Sequence, residues 1–292
     1  MKILVLGSKG QLGLCLSDQL SKTLHQVTYA SREEIDVGEF GSTQESIIGI
    51  NPDLVINATA YTSVDEAEKD KESANLINHL AVANIADICR ELDCLLVHIS
   101  TDYVFDGNAI KPYIETDNTN PQGVYGISKL NGEIFIRSSG CRYLIIRTAW
   151  VFSEYGNNFM KTMLRLGANN DNLSIVGDQF GCPTYAQDIA IAIVTILDRF
   201  DLKEITSDIY HYCGDESCSW FDFASLIFSE ASNAGWSTPR QLKSIKTAEY
   251  PTLAARPANS VLDCSKIFDN FGVSPSDWRK AIKVVLSNRN AN

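Results

Sequence analysis

The sequence predicts an α/β protein, in which a Rossmann-type doubly wound parallel sheet is followed by a smaller α/β C-terminal unit. Three observations favour this class. A glycine-rich turn, residues 7–13, follows the first apolar run of the chain. Short apolar runs then alternate with segments whose apolar residues recur at helical spacing, which is the pattern of βαβ units. After about residue 214 helices dominate around one short strand, which indicates a second unit.

The elements follow from apolar periodicity and from the glycines and prolines between them. We predict strands at 2–6, 26–30, 53–60, 94–99, 142–147, 173–176, 209–213 and 242–246. We predict helices at 12–24, 42–50, 74–92, from 124 onward, and at 157–166, 186–200, 220–234, 265–271 and 277–287. These elements suggest a first domain of residues 1–150, continued by roughly 171–213. Residues 151–170 and 214–292 would form the second, substrate-binding domain.

Composition excludes several classes of protein. Of the 292 residues 45% are hydrophobic and 21% are charged, which is ordinary for a globular protein. The formal net charge of −11 disfavours nucleic acid and anionic membranes as partners. The sequence has no apolar run of 18 residues and no signal-peptide cleavage site after its short apolar start, so we expect neither a membrane span nor secretion.

Cysteine and histidine usage bears on compartment and metals. The eight cysteines stand singly, without a C-x-x-C pair, and the four histidines are scattered. We therefore expect reduced, mostly buried cysteines in a cytoplasmic protein, and we predict no metal site. A cysteine nucleophile stays open as a minor alternative.

The first functional motif is the G-x-x-G-x-x-G turn between strand and helix. Its glycines would let the backbone approach a pyrophosphate, and the helix N-terminus favours negative charge. A plain tight turn between strand and helix is the alternative. The predicted dinucleotide contacts are Gly7, Gly10, Gln11, Leu12 and Gly13.

The end of the second strand bears on the choice of coenzyme. An acidic residue there would favour NADH, whereas an arginine suits the extra phosphate of NADPH. The chain has Ser31 and Arg32, which favour NADPH, and two glutamates follow at 33 and 34, which leave NADH open. Asp36 and Val37 would then lie beside the adenine.

The third strand ends in small side chains. Ala58 and Ala60 would allow a cofactor to lie across the strand end, and the polar segment 61–68, beginning at Tyr61, would line the site. Asn78, within the next helix among apolar residues, has two interpretations: a contact with the site through water, or satisfaction of nearby backbone.

The stretch 98–129 carries the catalytic prediction. The buried run 94–99 leads to Thr101 at the carboxyl end of a strand, where open α/β sheets bind ligands. Tyr125 and Lys129 follow four residues apart on one helix, so they share a face. A cation about 4 Å away is worth roughly 4 kcal/mol at an effective dielectric near 20, enough to lower the pKa of a tyrosine by a few units. The tyrosine would then serve as acid or base, with the hydroxyl of Thr101 holding the reacting oxygen. A surface tyrosine–lysine pair is the alternative.

Two further residues are candidates for substrate binding. Trp150 follows the strand 142–147 and would give a sugar ring or base a flat platform, unless it is a core aromatic. Arg256 would clamp a phosphate, unless it forms a structural ion pair.

The order of glycine turn, Ser-Thr and Tyr-x-x-x-Lys resembles the extended short-chain dehydrogenase/reductase superfamily. Longer segments, which span almost the whole chain, resemble the dTDP-4-dehydrorhamnose reductase family within it. They are Gly10-Gln-Leu-Gly13, Asn57-Ala-Thr-Ala-Tyr-Thr-Ser-Val-Asp65, Ile99-Ser-Thr-Asp-Tyr-Val-Phe-Asp-Gly107, Val124-Tyr-Gly-Ile-Ser-Lys129, Arg147-Thr-Ala-Trp150, Gly156-Asn-Asn-Phe-Met-Lys161, Asp178-Gln-Phe-Gly-Cys-Pro-Thr184 and Ala255-Arg-Pro-Ala-Asn-Ser260.

This resemblance implies an activity and a set of roles. A reduced nicotinamide would deliver hydride to the C4 ketone of dTDP-6-deoxy-L-lyxo-4-hexulose, giving dTDP-L-rhamnose for bacterial surface polysaccharide such as lipopolysaccharide O-antigen. Tyr125 would protonate the new alkoxide, Lys129 would lower its pKa and hold the nicotinamide ribose, and Thr101 would hydrogen-bond the reacting oxygen. The remaining substrate contacts that the resemblance implies are Asp102, Tyr103, Trp150 and, for the pyrophosphate, Arg256.

Two alternatives remain at this point. The chain would be a reductase of another nucleotide-linked 4-keto sugar, or a non-catalytic NADP-binding regulatory subunit similar to methionine adenosyltransferase β. Some members of the family have a glutamate after the glycine turn that takes part in a magnesium-linked dimer, and this chain has Cys15 there. A homodimer is therefore an open expectation, and we expect no metal.

Overall fold

The computed structural model describes residues 1–290. Within that range the strands are β1 (Lys2–Leu6), β2 (Gln26–Ala30), β3 (Leu54–Asn57), β4 (Leu95–Thr101), β5 (Arg142–Thr148), β6 (Val151–Phe152), β7 (Asn172–Val176), β8 (Phe180–Gly181), β9 (Thr184–Tyr185), β10 (Asp208–His211), β11 (Cys218–Ser219) and β12 (Gln241–Ile245). The α-helices are α1 (Gln11–Leu20), α2 (Phe40–Ile50), α3 (Val64–Lys69), α4 (Lys71–Asn75), α5 (Ala81–Glu91), α6 (Val124–Ser139), α7 (Phe159–Gly167), α8 (Ala186–Arg199), α9 (Trp220–Asn233), α10 (Ser265–Phe271) and α11 (Trp278–Asn290).

Six of these strands form the central parallel sheet, in the order β10-β5-β4-β3-β1-β2. The chain winds first outward to β2 and then in the opposite direction from β3, so the strand order reverses between β1 and β3. Ligands of doubly wound sheets bind at the carboxyl end of this reversal. The sheet confirms the predicted Rossmann-type α/β class.

Alternation along the strands explains why helices cover both faces. Ile3 and Val5 of β1 face one apolar core, which α1 and α8 complete. Leu4 and Leu6 face the opposite core, which α2, α5 and α6 complete. Because successive side chains of a strand point to opposite faces, a strand that is apolar throughout needs cover on both.

A third core lies under the C-terminal helices. Met160, Phe223 and Trp278, from α7, α9 and α11, pack together there. Strand β7 pairs in parallel with β12 beside this core, whereas our division of the sequence placed it with the first domain. The two-domain boundaries as a whole stay a prediction.

The structure corrects three details of the predicted elements. Helix α1 ends at Leu20, and Leu24, which we had placed on it, is fully exposed. Strand β3 ends at Asn57 rather than at residue 60, because the Asn57 side chain binds the next turn of backbone. The predicted helix 74–92 is interrupted by a π-helical turn, Leu76–Leu80, whose wider backbone buries Asn78.

The cysteines agree with the sequence prediction. All eight are free thiols, and all are buried. Among the helices described in residues 1–290, none combines the length and apolar character that crossing a bilayer requires.

Candidate active site

Strand β4 positions the first catalytic candidates. It continues two residues beyond the predicted end and stops at Thr101, which is buried at the carboxyl edge of the sheet. The Thr101 hydroxyl donates to Asp102 Oδ1 at 3.0 Å and accepts from the Tyr103 amide at 3.2 Å. A single 3-10 turn, Asp102–Val104, therefore follows the strand and holds these side chains at its end.

Helix α6 brings Tyr125 to the same edge, since its first residue is Val124. Two contacts fix the start of this helix. Glu68 of α3 accepts a hydrogen bond from the Val124 amide at 2.8 Å, which places a carboxylate at the helix N-terminus. The rings of Tyr103 and Tyr125 then meet edge to face, with centroids 5.6 Å apart. The Thr101 hydroxyl lies near enough to the Tyr125 phenol to oppose the rise that burial causes in its pKa.

Lys129 lies one turn further along α6 and is almost completely buried. Its amine donates to the carbonyl oxygen of Ile99 at 2.7 Å and lies 3.3 Å from Nε2 of His98. The structure therefore brings Thr101, Tyr125 and Lys129 together at one edge of the sheet. It also adds His98 to this group, which we had not predicted.

Burial dominates the ionisation of these groups. Burial raises the pKa of Tyr125 well above its usual value, with the nearby Thr101 hydroxyl opposing the shift. Burial also lowers the pKa of Lys129 to about 8, and the charge of Glu133 opposes it. The pKa of Tyr125 is therefore not lowered in this arrangement, in which the Lys129 amine contacts Ile99 and His98. The expected effect of Lys129 on Tyr125 stays a prediction. The phenol stays protonated at neutral pH and is therefore available as a proton donor.

Asp102 is the second unusual acid of the site. Burial raises the pKa of its carboxyl to about 6, and the hydroxyls of Ser260 and Thr101 oppose this. The Oδ2 atom has no hydrogen-bond partner among residues 1–290. A buried oxygen without a partner is costly, so this atom is suited to a hydroxyl of a bound molecule.

The glycine-rich turn fits a pyrophosphate. Gly10 begins α1 without a side-chain cap, which leaves the first amides of a ten-residue helix free for an anion. A Cβ on Gly13 would come within 2.2 Å of the carbonyl oxygen of Gly7, so only glycine allows this turn to close. Gly7 lies at the end of β1, directly beside Ala58 at the end of β3. The predicted cofactor residues of both strands therefore lie at the point where the strand order reverses.

Gln11 has a role that the sequence did not predict. Its Oε1 accepts hydrogen bonds from Asn158 at 2.7 Å and Ser153 at 3.0 Å, and its amide donates to the Val151 carbonyl at 3.3 Å. The side chain thus joins the glycine turn to the segment after Trp150. The neighbouring Leu12 packs against the apolar core on the α1 side of the sheet.

The end of β2 presents the predicted coenzyme-selecting residues. Ser31 is buried, whereas the side chain of Arg32 is 84% exposed and pairs with Asp36 at 3.1 Å. The Asp36 carboxylate also accepts from the Gly38 amide at 3.1 Å, which fixes it in the turn. Val37 packs into the core beside α2 and α5, so its side chain supports this turn from below.

Asn78 satisfies nearby backbone groups, which was one of the two interpretations of this residue. Its Oδ1 accepts from the Tyr61 amide at 2.9 Å, and its amide donates to the Tyr61 carbonyl at 3.0 Å and to Ser128 Oγ at 3.0 Å. These bonds fix the segment after β3, which contains Ala60 and Tyr61, against α6. The cofactor-lining segment is therefore attached to the helix that carries Tyr125.

Trp150 lies beside the site in a strained backbone conformation, with φ of +47°. Its ring stacks on Trp220 of α9, with centroids 3.4 Å apart and planes 6° apart. A Cβ on Gly181 would come within 2.5 Å of the Trp150 ring, so the loop 178–184 passes against it. The aromatic platform predicted from Trp150 alone is thus a pair of stacked indoles, and its second member had no signal in the sequence.

Arg256 reaches the site from the C-terminal segment. It pairs with Asp65 at 2.6 Å and lies over the Tyr103 ring, with the guanidinium carbon 6.0 Å from the ring centroid. Asp65 also accepts from the Ala254 amide at 3.0 Å. The structure therefore contains the ion pair that was the alternative interpretation of Arg256. This pair places the guanidinium beside the predicted substrate contact Tyr103.

A buried ion pair lies below the catalytic edge, and the sequence reading did not identify it. Glu133 of α6 and Arg147 of β5 form two parallel hydrogen bonds, with the shortest contact 2.6 Å, and both side chains are at most 2% exposed. Ser100 donates to the same carboxylate at 2.5 Å. This network fixes α6 to β4 and β5, and it therefore sets the position of Tyr125 and Lys129.

Metal ligands are not grouped in the described residues. Within 1–290, no cluster of three or more His, Cys, Asp or Glu side chains is arranged to hold a metal ion. Cys15, at the position that drew attention in the sequence, is fully buried in the core on the α1 side of the sheet.

Comparison with known proteins agrees with this geometry. The family model described as the RmlD substrate binding domain matches residues 1–290. The dTDP-4-dehydrorhamnose reductase of Aggregatibacter actinomycetemcomitans is 42% identical over 97% of this chain and 97% of its own. The enzyme of the same name from Escherichia coli K12 is 38% identical over 98% of this chain and 97% of its own.

Solved structures give the same result. The dTDP-4-dehydrorhamnose reductase of Bacillus anthracis, in complex with NADP, superposes with a TM-score of 0.91 at 33% identity, over 98% of this chain and 99% of that one. The UDP-Glc/GlcNAc 4-epimerase of Campylobacter jejuni has a TM-score of 0.79 at 19% identity, with 100% and 99% of the two chains covered, and shares the fold alone. Full-length similarity above 40% identity and the matching family model lead to one conclusion: the chain belongs to the dTDP-4-dehydrorhamnose reductase family.

Proposed function

We propose that the protein is an NADPH-dependent reductase that converts dTDP-6-deoxy-L-lyxo-4-hexulose, also called dTDP-4-dehydrorhamnose, to dTDP-L-rhamnose. One observation carries this proposal. A protonated Tyr125 lies close to Thr101 at the carboxyl end of β4, in a chain 42% identical to a reductase of that name. A ketone reductase needs this arrangement, since the oxygen of the ketone must receive a proton as its carbon is reduced.

Each residue of the catalytic group has a separate role in the proposed reaction. Reduced nicotinamide, when bound, supplies the hydride. The Thr101 and Tyr125 hydroxyls, which lie close together, hold the C4 oxygen between them. Tyr125 gives its phenol proton to the developing alkoxide, which stabilises charge where it appears in the transition state. Lys129 carries the positive charge that favours the resulting phenolate.

The remaining groups bind the sugar nucleotide. Asp102 Oδ2, buried without a partner among residues 1–290, accepts a hydrogen bond from a sugar hydroxyl. The stacked Trp150 and Trp220 give a flat apolar face beside the site. Arg256, whose side chain is 19% exposed, contributes positive charge for the pyrophosphate after exchanging part of its bonding with Asp65.

The direct test is oxidation of NADPH or NADH by freshly prepared dTDP-4-dehydrorhamnose, followed at the absorbance of the reduced coenzyme. We expect rapid oxidation that yields dTDP-rhamnose, with NADPH preferred. If the coenzyme is oxidised only with another nucleotide-linked 4-keto sugar, that sugar is the substrate in place of dTDP-4-dehydrorhamnose. Coenzyme binding without oxidation of any keto sugar would contradict the enzyme assignment and support the regulatory-subunit alternative.

Arg32 gives a prediction about the coenzyme. We expect Arg32→Ala to raise the KM for NADPH about tenfold, because one charge-assisted hydrogen bond to the extra phosphate would be lost. The KM for NADH should change little. The variant Arg240→Ala is a matched control, because this arginine is also 84% exposed and also pairs with an aspartate, Asp171. Separate KM measurements with each coenzyme check this. An equal rise for both coenzymes would show that Arg32 does not recognise the extra phosphate.

The setting of the reaction is also part of the proposal. Eight free thiols favour a reducing compartment, so we place the enzyme in the cytoplasm. The net charge of −11 disfavours nucleic acid and anionic membranes as partners. A homodimer stays a prediction, which light scattering of the purified chain would test. The product would supply rhamnose to a surface polysaccharide.

A further inference from the structure

A buried chain of hydrogen bonds runs from the end of β3 to Lys129, and it begins at a backbone amide. The Thr59 amide donates to Asn57 Oδ1 at 3.1 Å, and the Thr59 hydroxyl donates to the same atom at 2.6 Å. A backbone amide has only a proton to offer, so the Asn57 atom that faces it must be the oxygen. The orientation of the Asn57 side-chain amide is therefore fixed, and its nitrogen points the other way.

The next link is His98 of β4, whose ring is fully buried. Asn57 Nδ2 lies 3.2 Å from His98 Nδ1. Since Asn57 Nδ2 is a donor, Nδ1 must accept. Burial and the nearby Lys129 keep the pKa of His98 well below its usual value, so the ring is neutral and carries one proton. That proton must then be on Nε2.

The last link is Lys129. His98 Nε2 lies 3.3 Å from Lys129 Nζ, and the amine donates to the Ile99 carbonyl at 2.7 Å. An ammonium group would direct an N–H bond at the N–H of His98, and the two would repel. A neutral amine would instead accept that proton in a hydrogen bond. The series of hydrogen bonds that begins at Thr59 therefore favours the neutral amine of Lys129.

We propose that Thr59 and Asn57 fix His98 as its Nε2–H tautomer, and that His98 is thereby a positioning residue that stabilises the neutral amine of Lys129. The inference rests on the proposed function for its catalytic meaning. After Tyr125 has given its proton to the sugar oxygen, it is a phenolate. Because the Lys129 amine contacts Ile99 and His98 rather than the phenol, its ammonium restores the phenol by passing a proton through intervening water. This leaves the neutral amine, which the Nε2–H of His98 then stabilises. His98 itself gains and loses no proton.

Other ionisable groups near Lys129 also bear on its titration. Glu133, one turn further along α6, favours the ammonium form. Asp102, beyond the end of β4, becomes negatively charged as the pH rises through about 6. Near pH 8 its carboxyl is almost fully ionised, so its charge changes little there. Tyr125 stays a neutral phenol in this range, because burial raises its pKa. A change in Lys129 titration near pH 8 therefore reports on His98 when these residues are kept.

The first experiment reads the tautomer directly in the unmodified full chain. Long-range ¹⁵N–¹H correlation spectra of protein labelled at its four histidines distinguish a protonated from an unprotonated ring nitrogen. We expect an unprotonated Nδ1 and a protonated Nε2 for His98, identified by the signal lost in His98→Gln. Thr59→Val is the matched control: it removes the hydroxyl but keeps the backbone amide, so the same tautomer is expected. A proton on Nδ1 overturns the proposal, whether or not the chain is active.

The second experiment measures the consequence for Lys129. In His98→Gln the side-chain amide is free to turn its oxygen toward the ammonium. We therefore expect the Lys129 titration, followed with ¹³C-labelled lysine, and the basic limb of the kcat profile to move up by about one pH unit. A purely structural role would lower kcat at every pH with the midpoint unchanged, and that result overturns the link to Lys129. If the unmodified chain reduces no keto sugar, the proposed function fails, and the two spectroscopic readouts still decide the inference. If His98→Gln does not fold, sequential backbone assignment of the unmodified chain identifies the His98 signal, and its tautomer decides the proposal.

Discussion

Replacing Tyr125 with phenylalanine is expected to lower kcat about 10³-fold, within the usual range for loss of a general acid. The phenylalanine ring keeps the edge-to-face contact with Tyr103, and only the phenol hydroxyl with its proton is lost. We therefore expect the dissociation constant of NADPH, measured by fluorescence titration, to stay within about threefold, because the glycine turn and Arg32 are untouched.

Tyr143→Phe is the matched control for this variant. Tyr143 lies near the opposite, amino end of β5, far from the carboxyl edge that carries Thr101. Removing its hydroxyl is expected to leave kcat unchanged. Full turnover in Tyr125→Phe would contradict our assignment and would move the proton donor to Asp102, whose pKa of about 6 also permits donation in weakly acidic solution.

The same assignment has a signed pH dependence. Lys129 has a pKa of about 8, so its ammonium form is present below that pH and is lost above it. Because the phenolate left by Tyr125 needs this positive charge, reduction should slow as the pH rises through about 8. Loss of activity between pH 6 and 7 instead would point to Asp102 as the controlling group.

Replacing Glu133 with glutamine is expected to destabilise the protein by about 3–5 kcal/mol. The guanidinium of Arg147 would then be buried, at 2% exposure, without its counter-charge. Chemical denaturation measures this, since an unpaired buried charge costs far more than a lost surface ion pair. Glu216→Gln is the control, because it breaks the exposed pair with Arg279 and should cost less than about 1 kcal/mol.

A double variant sharpens this prediction. Glu133→Leu together with Arg147→Met removes both charges, so no charge is stranded, and most of the stability should return. If the double variant were as unstable as Glu133→Gln, the loss would come from packing rather than from an unpaired charge. Either result would also show how much the placement of Tyr125 on α6 depends on this ion pair.

The sequence predicted those parts of the site that local spacing determines. Tyr125 and Lys129 share a face because they are four residues apart, and Thr101 lies at a strand end because the apolar run before it ends there. The glycine turn likewise follows from seven consecutive residues. In each case one element, with a known period, places the side chains.

The missing parts depend on packing between distant segments. Asn57 meets His98 across 41 residues, and Glu68 meets the start of α6 across 56. Trp220 stacks on Trp150 from another helix altogether. No periodicity links such residues, because their meeting depends on the order of strands in the sheet and on the path of loops. The contact of Lys129 was missed for the same reason: its amine binds the carbonyl oxygen of Ile99, and sequence spacing alone does not show this.

The bonds of Gln11 have a consequence for how the two ligands are handled. Through Ser153 and Asn158, this side chain joins the start of α1, the predicted pyrophosphate site, to the segment beyond Trp150 in one preorganised frame. Little ordering of that segment then remains to be done when a sugar nucleotide arrives, so less of its binding free energy is lost to conformational entropy. If the proposed site holds both ligands, the folded chain itself sets the spacing between hydride donor and acceptor.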